Sequence, residues 1–167
     1  AIRDPAELCR LLRLPASLAA AAESPAGRFG LLVPRPYLDR IRPGDPMDPL
    51  LLQVLPRPEE RAAVPGFTAD PVGDAEATWG PGLLRKYRHR VLMVASPACA
   101  VHCRFCFRRH FPYHDGAGYP KKWEPALARI AADPSLHEVI LSGGDPLVLG
   151  DELLAELVRR LAEIPHH

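Results

Sequence analysis

Residues 90–106 read RVLMVASPACAVHCRFC, and residues 138–146 read EVILSGGDP. Each stretch opens as an apolar run of strand length and closes in a loop of small or chemically active residues. The unbroken run 90–95 predicts a strand buried on both faces, and 138–141 predicts a second, shorter one. Between them, 122–132 (KWEPALARIAA) has helical character and stops at Asp133-Pro134. Asp151 then caps a helix with Leu153, Leu154, Leu157, Val158 and Leu161 on one face. The resulting order, β-loop-α-β-loop-α, is the alternation of a parallel sheet. Two parallel strands alone leave unpaired backbone at both edges. The chain is therefore read as incomplete α/β, either the start of a longer protein or a partner whose sheet another chain finishes.

Upstream, residues 1–82 read as a helical and extended segment, and 83–167 as the α/β part. Asp4-Pro5-Ala6-Glu7 has the form of a helix start, with Asp4 as cap and Glu7 in the capping-box position. Residues 15–23 suggest a second helix ended by Pro25-Ala26-Gly27, and 50–55 a third opened by Asp48-Pro49. Residues 56–82, rich in Pro, Gly and Asp, read as an extended connection.

A composition of 47% hydrophobic and 25% charged residues is that of an ordinary globular chain. The formal net charge of +1 argues against a dedicated polyanion binder. No apolar run reaches the length of a membrane span, and AIRDPAELCR lacks the layout of a secretory signal. No membrane partner is expected, and four cysteines without such a signal fit a reducing, cytoplasmic setting.

Cys9 stands alone in an apolar stretch and reads as a small buried hydrophobe. Cys99, Cys103 and Cys106 instead form C-x3-C-x2-C directly after a strand. Such short spacings let one loop wrap three thiolates around one inorganic centre. Three protein ligands on a four-iron cube leave one iron open, as a catalytic metal requires. Zinc closed by His102 or His110 is the alternative. Ser142-Gly143-Gly144-Asp145 closes the second strand on the same, carboxyl-end side of the sheet. Alone it would be read as a plain turn.

CAVHCRFC, with Phe105 before the third cysteine, resembles the cluster signature of radical S-adenosylmethionine enzymes. Ser142-Gly143-Gly144-Asp145 resembles the motif that holds the methionyl ammonium in that family, with Asp145 where glutamate is commoner. PGLLRKYRHRVLMVASPACAVHCRFCFRRHFPYH together with LSGGDPL is more specific. It resembles lysine 2,3-aminomutases, and most of all the bacterial branch that supplies (R)-β-lysine for elongation factor P. LLQVLPRPEE and PGFTADPVGD share that likeness.

The resemblance implies the first two β/α units of a partial (β/α) barrel. It also implies a [4Fe-4S] cluster on Cys99, Cys103 and Cys106, S-adenosylmethionine at 142–145, and pyridoxal 5′-phosphate near Lys86, Tyr87 and Arg90. By the same likeness, Arg108 grips the carboxylate of free L-lysine. A reducing electron donor and a ligase acting on elongation factor P are the implied partners, with a homo-oligomer left open. The family's pyridoxal-bearing lysine has no match among Lys86, Lys121 and Lys122, the three lysines of the chain.

RKYRHR and CFRRH also admit a blander reading, as solvated basic faces. His89, His102, His110 and His114 are assigned no chemistry, and Phe111 and Tyr113 are expected to pack the loop. The competing functions are a zinc-stabilised, arginine-rich nucleic-acid-binding module and an inactive fragment of an aminomutase.

Overall fold

A computed structural model describes residues 1–22, 30–62, 64–113 and 123–166. The chain divides into two compact units: Ala1–Pro71 with Ala100–His110, and Val72–Cys99 with Phe111–His167.

The first unit is helical. It contains α1 (Pro5–Leu11), α2 (Ala16–Ala22), α3 (Arg35–Leu38) and α4 (Leu51–Val54), followed by a 3₁₀ turn over Pro58–Arg61. Asp4 caps α1 as expected, its carboxylate accepting the Ala6 and Glu7 N–H groups at 3.0 and 3.2 Å. The Glu7 side chain lies 3.8 Å from Arg35, an exposed pair. Ile2 and Val33 form an isolated antiparallel bridge, and with Leu8, Leu12, Leu51 and Val54 they make one apolar core. Cys9 belongs to that core, and burial pushes its thiol up, with nearby Asp4 adding to the effect. Asp48 opens α4 by accepting the Leu50 and Leu51 N–H groups at 2.8 and 3.2 Å. The expected end of α2 at 25–27 falls outside the described residues.

The second unit is α/β, with an open four-stranded sheet in the order β1-β2-β3-β4. Its strands are β1 (Thr78–Gly80), β2 (Leu83–Leu84), β3 (Arg90–Ser96) and β4 (Glu138–Gly143). β3 and β4 are parallel in the register Val91↔Val139 and Met93↔Leu141. The sequence led to two strands, and the structure corrects this: β1 and β2 extend the sheet antiparallel from β3. Pro81-Gly82 turns the hairpin, with Gly82 at φ +70°, as a proline-then-glycine turn of type II requires. The connection read as extended over 56–82 therefore holds a 3₁₀ turn and a strand.

The helix α5 (Trp123–Ala131) follows β3, and α6 (Asp151–Ala162) follows β4. Lys121, Lys122 and His114 lie outside the described residues. Trp123, Ala126, Leu127 and Ile130 of α5 pack with Val91, Met93 and Ala95, and the Trp123 indole N–H donates to the Ala95 carbonyl at 3.1 Å. α6 departs from expectation twice. Its N-cap is Gly150, with Asp151 already inside the first turn. Of its predicted face only Leu157 is fully buried, whereas Leu153 and Val158 are exposed. Among the described residues no helix is long and apolar enough to cross a membrane.

Candidate functional site

The carboxyl ends of β3 and β4 are laced together. Gly144 N–H donates to the Ser96 carbonyl at 2.8 Å and Asp145 N–H to the Ala98 carbonyl at 2.7 Å. Ala98 N–H in turn donates to the buried Ser96 hydroxyl at 3.1 Å. The glycine-rich turn thus rests on 96–98, one residue before Cys99.

Both glycines are demanded by this contact. Gly143 has φ +128°, and a Cβ there would stand 2.2 Å from the Ser96 oxygen. A Cβ on Gly144 would stand 2.2 Å from the Ala98 oxygen. The family resemblance gives this turn a cofactor; the chain's own neighbouring backbone already requires both glycines. Tyr113 adds a further tie, its hydroxyl donating to the Gly143 carbonyl at 2.7 Å. Phe111 meets the Tyr113 ring edge-on, with centroids 4.8 Å apart. Ser142 is half-buried at the end of β4. The Asp145 carboxylate accepts the Leu147 N–H at 2.9 Å and so caps the 3₁₀ turn Pro146–Val148. A short acid suits this N-cap role.

Cys99 belongs to the second unit, Cys103 and Cys106 to the first. All four cysteines are thiols rather than disulfides. Cys106 N–H donates to the Cys103 carbonyl at 3.1 Å. Desolvation pushes the Cys103 thiol up, and the neighbouring Cys106 adds to the shift. Among the described residues, no three His, Cys, Asp or Glu side chains are gathered into a set that could hold a metal ion.

The segment carrying Cys103 and Cys106 is strapped to its own unit. His102 N–H donates to the Leu32 carbonyl at 3.0 Å, and His102 Nδ1 lies 2.6 Å from the Gly30 carbonyl. Arg104 donates from its backbone to Gln53 at 2.7 Å and from Nη1 to the Leu52 carbonyl at 3.0 Å. Arg104 Nε also meets Glu60 Oε1, and Arg109 Nη1 reaches Glu60 Oε2 at 3.2 Å. His110 is exposed. Arg108, 7% exposed, stacks its guanidinium on Phe107 at 4.9 Å.

The residues expected near pyridoxal phosphate behave differently from one another. Lys86 Nζ is held by Asp74 at 2.7 Å and by the Val72 carbonyl at 2.5 Å, and Asp74 itself is buried. Arg90 pairs with Glu138 at 2.9 Å, both half-exposed, and lies over the exposed Tyr87 ring at 5.5 Å. Arg85 pairs with Asp133 at 2.6 Å. His89 stacks on His137, with centroids 5.5 Å apart. The basic runs are thus largely balanced by acids, which weakens them as a phosphate-tracking surface. Sequence reasoning missed the contacts of Glu60, Asp74, Ser96 and Ala98, and saw in Tyr113 only packing. All five lie in stretches that carry the family likeness, but no local pattern singles out the first four, and the tyrosine's aromatic character was the sole signal for the fifth.

Residues 80–165 match the family model described as a 4Fe-4S single cluster domain, a stretch holding all three clustered cysteines and 142–145. Over 99% of its length the chain is 45% identical to a Haemophilus influenzae protein named L-lysine 2,3-aminomutase, covering 49% of that protein. A protein of the same name from Escherichia coli is 46% identical over 99% of this chain and 48% of its own length. Another from Clostridium subterminale is 35% identical over 78% of this chain and 32% of its own. The chain spans about half the length of the first two relatives.

Proposed function

This chain belongs to the 4Fe-4S single cluster domain family, and from that premise we propose that it carries the cluster- and S-adenosylmethionine-binding part of a lysine 2,3-aminomutase. The observation that supports this most is the lacing of 143–145 onto 96–98. It presents the glycine turn and the backbone leading to Cys99 at adjoining ends of two parallel strands, where open α/β sheets bind ligands.

The donor chemistry fits a cluster, with the side chains still to be drawn together around it. Three thiols at this spacing suit iron–sulfur ligation, and Cys99, Cys103 and Cys106 would hold it. When bound, the cluster and S-adenosylmethionine supply one-electron chemistry that generates a hydrogen-abstracting radical. The chain's own contribution is position. Ser96 and Ala98 fix the turn, Tyr113 holds the Gly143 carbonyl, and the Asp145 carboxylate stands at the strand end, where it can meet an ammonium. Arg108 would orient the substrate carboxylate, its planar fork matching that group.

For pyridoxal phosphate the fit is partial. Lys86 does not fit, because its ammonium already compensates the buried Asp74. Tyr87 and Arg90 do fit. The Arg90–Glu138 pair is solvent-exposed, and such pairs contribute only about 0–1 kcal/mol, so a phosphate dianion can replace Glu138. As substrate we propose free L-lysine, converted to (R)-β-lysine that a ligase passes to elongation factor P. The setting is a reducing cytoplasm with an electron donor. The identity shared with proteins named for lysine supports the substrate.

The test is low-temperature electron paramagnetic resonance of the anaerobically reconstituted, reduced chain, with and without S-adenosylmethionine. A four-iron signal that shifts on adding the cofactor is expected. Stoichiometric zinc without any cluster would overturn the reading.

A further inference from the structure

We propose that Glu60 is a positioning residue for the cluster loop, setting both its geometry and its electrostatics. The inference rests on the function proposed above. Glu60 lies in the proline-rich segment far upstream, yet its carboxylate takes a guanidinium from each side of Cys106. Oε1 meets Arg104 Nε and Oε2 meets Arg109 Nη1 at 3.2 Å. The carboxylate is itself held from behind, since Arg57 N–H donates to Oε1 at 2.9 Å.

Between its two arms the loop makes consecutive turns: Cys106 N–H to the Cys103 carbonyl at 3.1 Å, then Arg109 N–H to the Cys106 carbonyl at 3.3 Å. One carboxylate thus fixes both ends of the segment 104–109, with Cys106 inside it and Cys103 adjoining. The three charged side chains are mostly buried, with 17% of Glu60, 13% of Arg104 and 29% of Arg109 exposed. In that setting charges are poorly screened, and a charge-assisted pair is stronger than an exposed one.

The electrostatic consequence has a definite sign. Reducing a cluster adds a negative charge, which nearby cations favour and nearby anions oppose. Glu60 offsets two cations next to the cysteines and so lowers the potential relative to a loop without it. Charge and hydrogen bonding near the sulfurs are among the factors that set such potentials.

The experiment reads midpoint potential and iron content in the full chain, reconstituted anaerobically with iron and sulfide, as native protein, Glu60→Gln and Arg109→Gln. Glu60→Gln keeps the shape and removes the anion; the midpoint is expected to move positive and iron content to fall. Arg109→Gln removes a cation from the same network at a more accessible position, so it keeps the test alive if the first variant folds poorly; its midpoint moves negative. Opposite shifts are the signature, because a loop merely loosened would move both variants the same way. Unchanged midpoints with native iron content, or shifts of one sign, overturn the proposal. A native chain that takes up no cluster overturns the underlying function as well, and is seen before either variant is measured.

Discussion

Replacing Gly144 by alanine tests the joint between the two strand ends most directly. The new Cβ would stand 2.2 Å from the Ala98 oxygen, 2.6 Å from its carbonyl carbon and 3.0 Å from that of Pro97. An ordinary carbon–oxygen approach is about 3.3 Å, so the backbones must part by roughly 1 Å. Every atom met is main chain, and no rotamer can relieve the clash. Overpacking of this kind costs about 1–3 kcal/mol. Parting the strands also strains the Gly144–Ser96 and Asp145–Ala98 hydrogen bonds, and losing one costs about 1 kcal/mol more. A total near 2–4 kcal/mol lowers the melting temperature on the order of 10 °C in a chain of this size. Both tryptophans, Trp79 and Trp123, lie in the second unit, so intrinsic fluorescence during heating reports on that unit. Gly30→Ala is the control: nothing lies within 4 Å of its added Cβ, and a change within about 0.5 kcal/mol is expected. Gly144→Ala should also weaken S-adenosylmethionine binding in the reconstituted chain. Native melting together with native affinity would refute the reasoning.

Three further outcomes follow from other contacts. Lys86→Met strips the buried Asp74 of its ammonium and should cost about 1–3 kcal/mol by denaturant titration, while Lys86→Arg restores most of it; native stability with lost pyridoxal phosphate binding would assign Lys86 to the phosphate instead. Trp123→Phe forfeits the indole bond to Ala95 and some buried volume, for about 1–3 kcal/mol, read as a lower denaturant midpoint. The Ser135 hydroxyl and N–H, with Arg85, hold Asp133 at about 2, below its unfolded value near 3.9. Its contribution to stability is therefore full above that unfolded value and lost as pH falls through about 2; Asp133→Asn should flatten this part of the acid unfolding curve, and an unaltered curve would contradict the assignment.

Much of the second unit was legible because its signals are local and long enough. The apolar run of β3 belongs to one stretch of chain, as the Asp4 cap does in the first unit; the Pro81-Gly82 turn is equally local, yet it was passed over within the connection read at 56–82. β1 and β2, three and two residues long, fall below any window in which alternation can be counted, and only pairing, β1 with β2 and β2 with β3, defines them. The same limit concealed the Pro58–Arg61 turn. Its composition marks a connection, while Glu60 acquires meaning only from arginines more than forty residues away in sequence. Leu153 and Val158 fail for the opposite reason: helical period places them beside the buried stripe, but burial depends on what packs there.

The glycine turn at 142–145 shows where such reading stops in principle. Ser142-Gly143-Gly144-Asp145 stood out through its resemblance to a motif that holds the methionyl ammonium. The structure gives both glycines and Asp145 an earlier obligation. The glycines let β4 close on 96–98, and Asp145 caps the turn that follows. A cofactor binding there would meet a surface already fixed by the protein's own packing, with little ordering left to do. Such preorganisation is what allows binding free energy to go into position rather than into folding a loop. It also means that substitutions at these glycines cannot separate ligand from scaffold by activity alone. Melting behaviour and affinity have to be read together, and Asp145→Asn, which keeps the cap acceptor while removing the charge, is the variant that can part them.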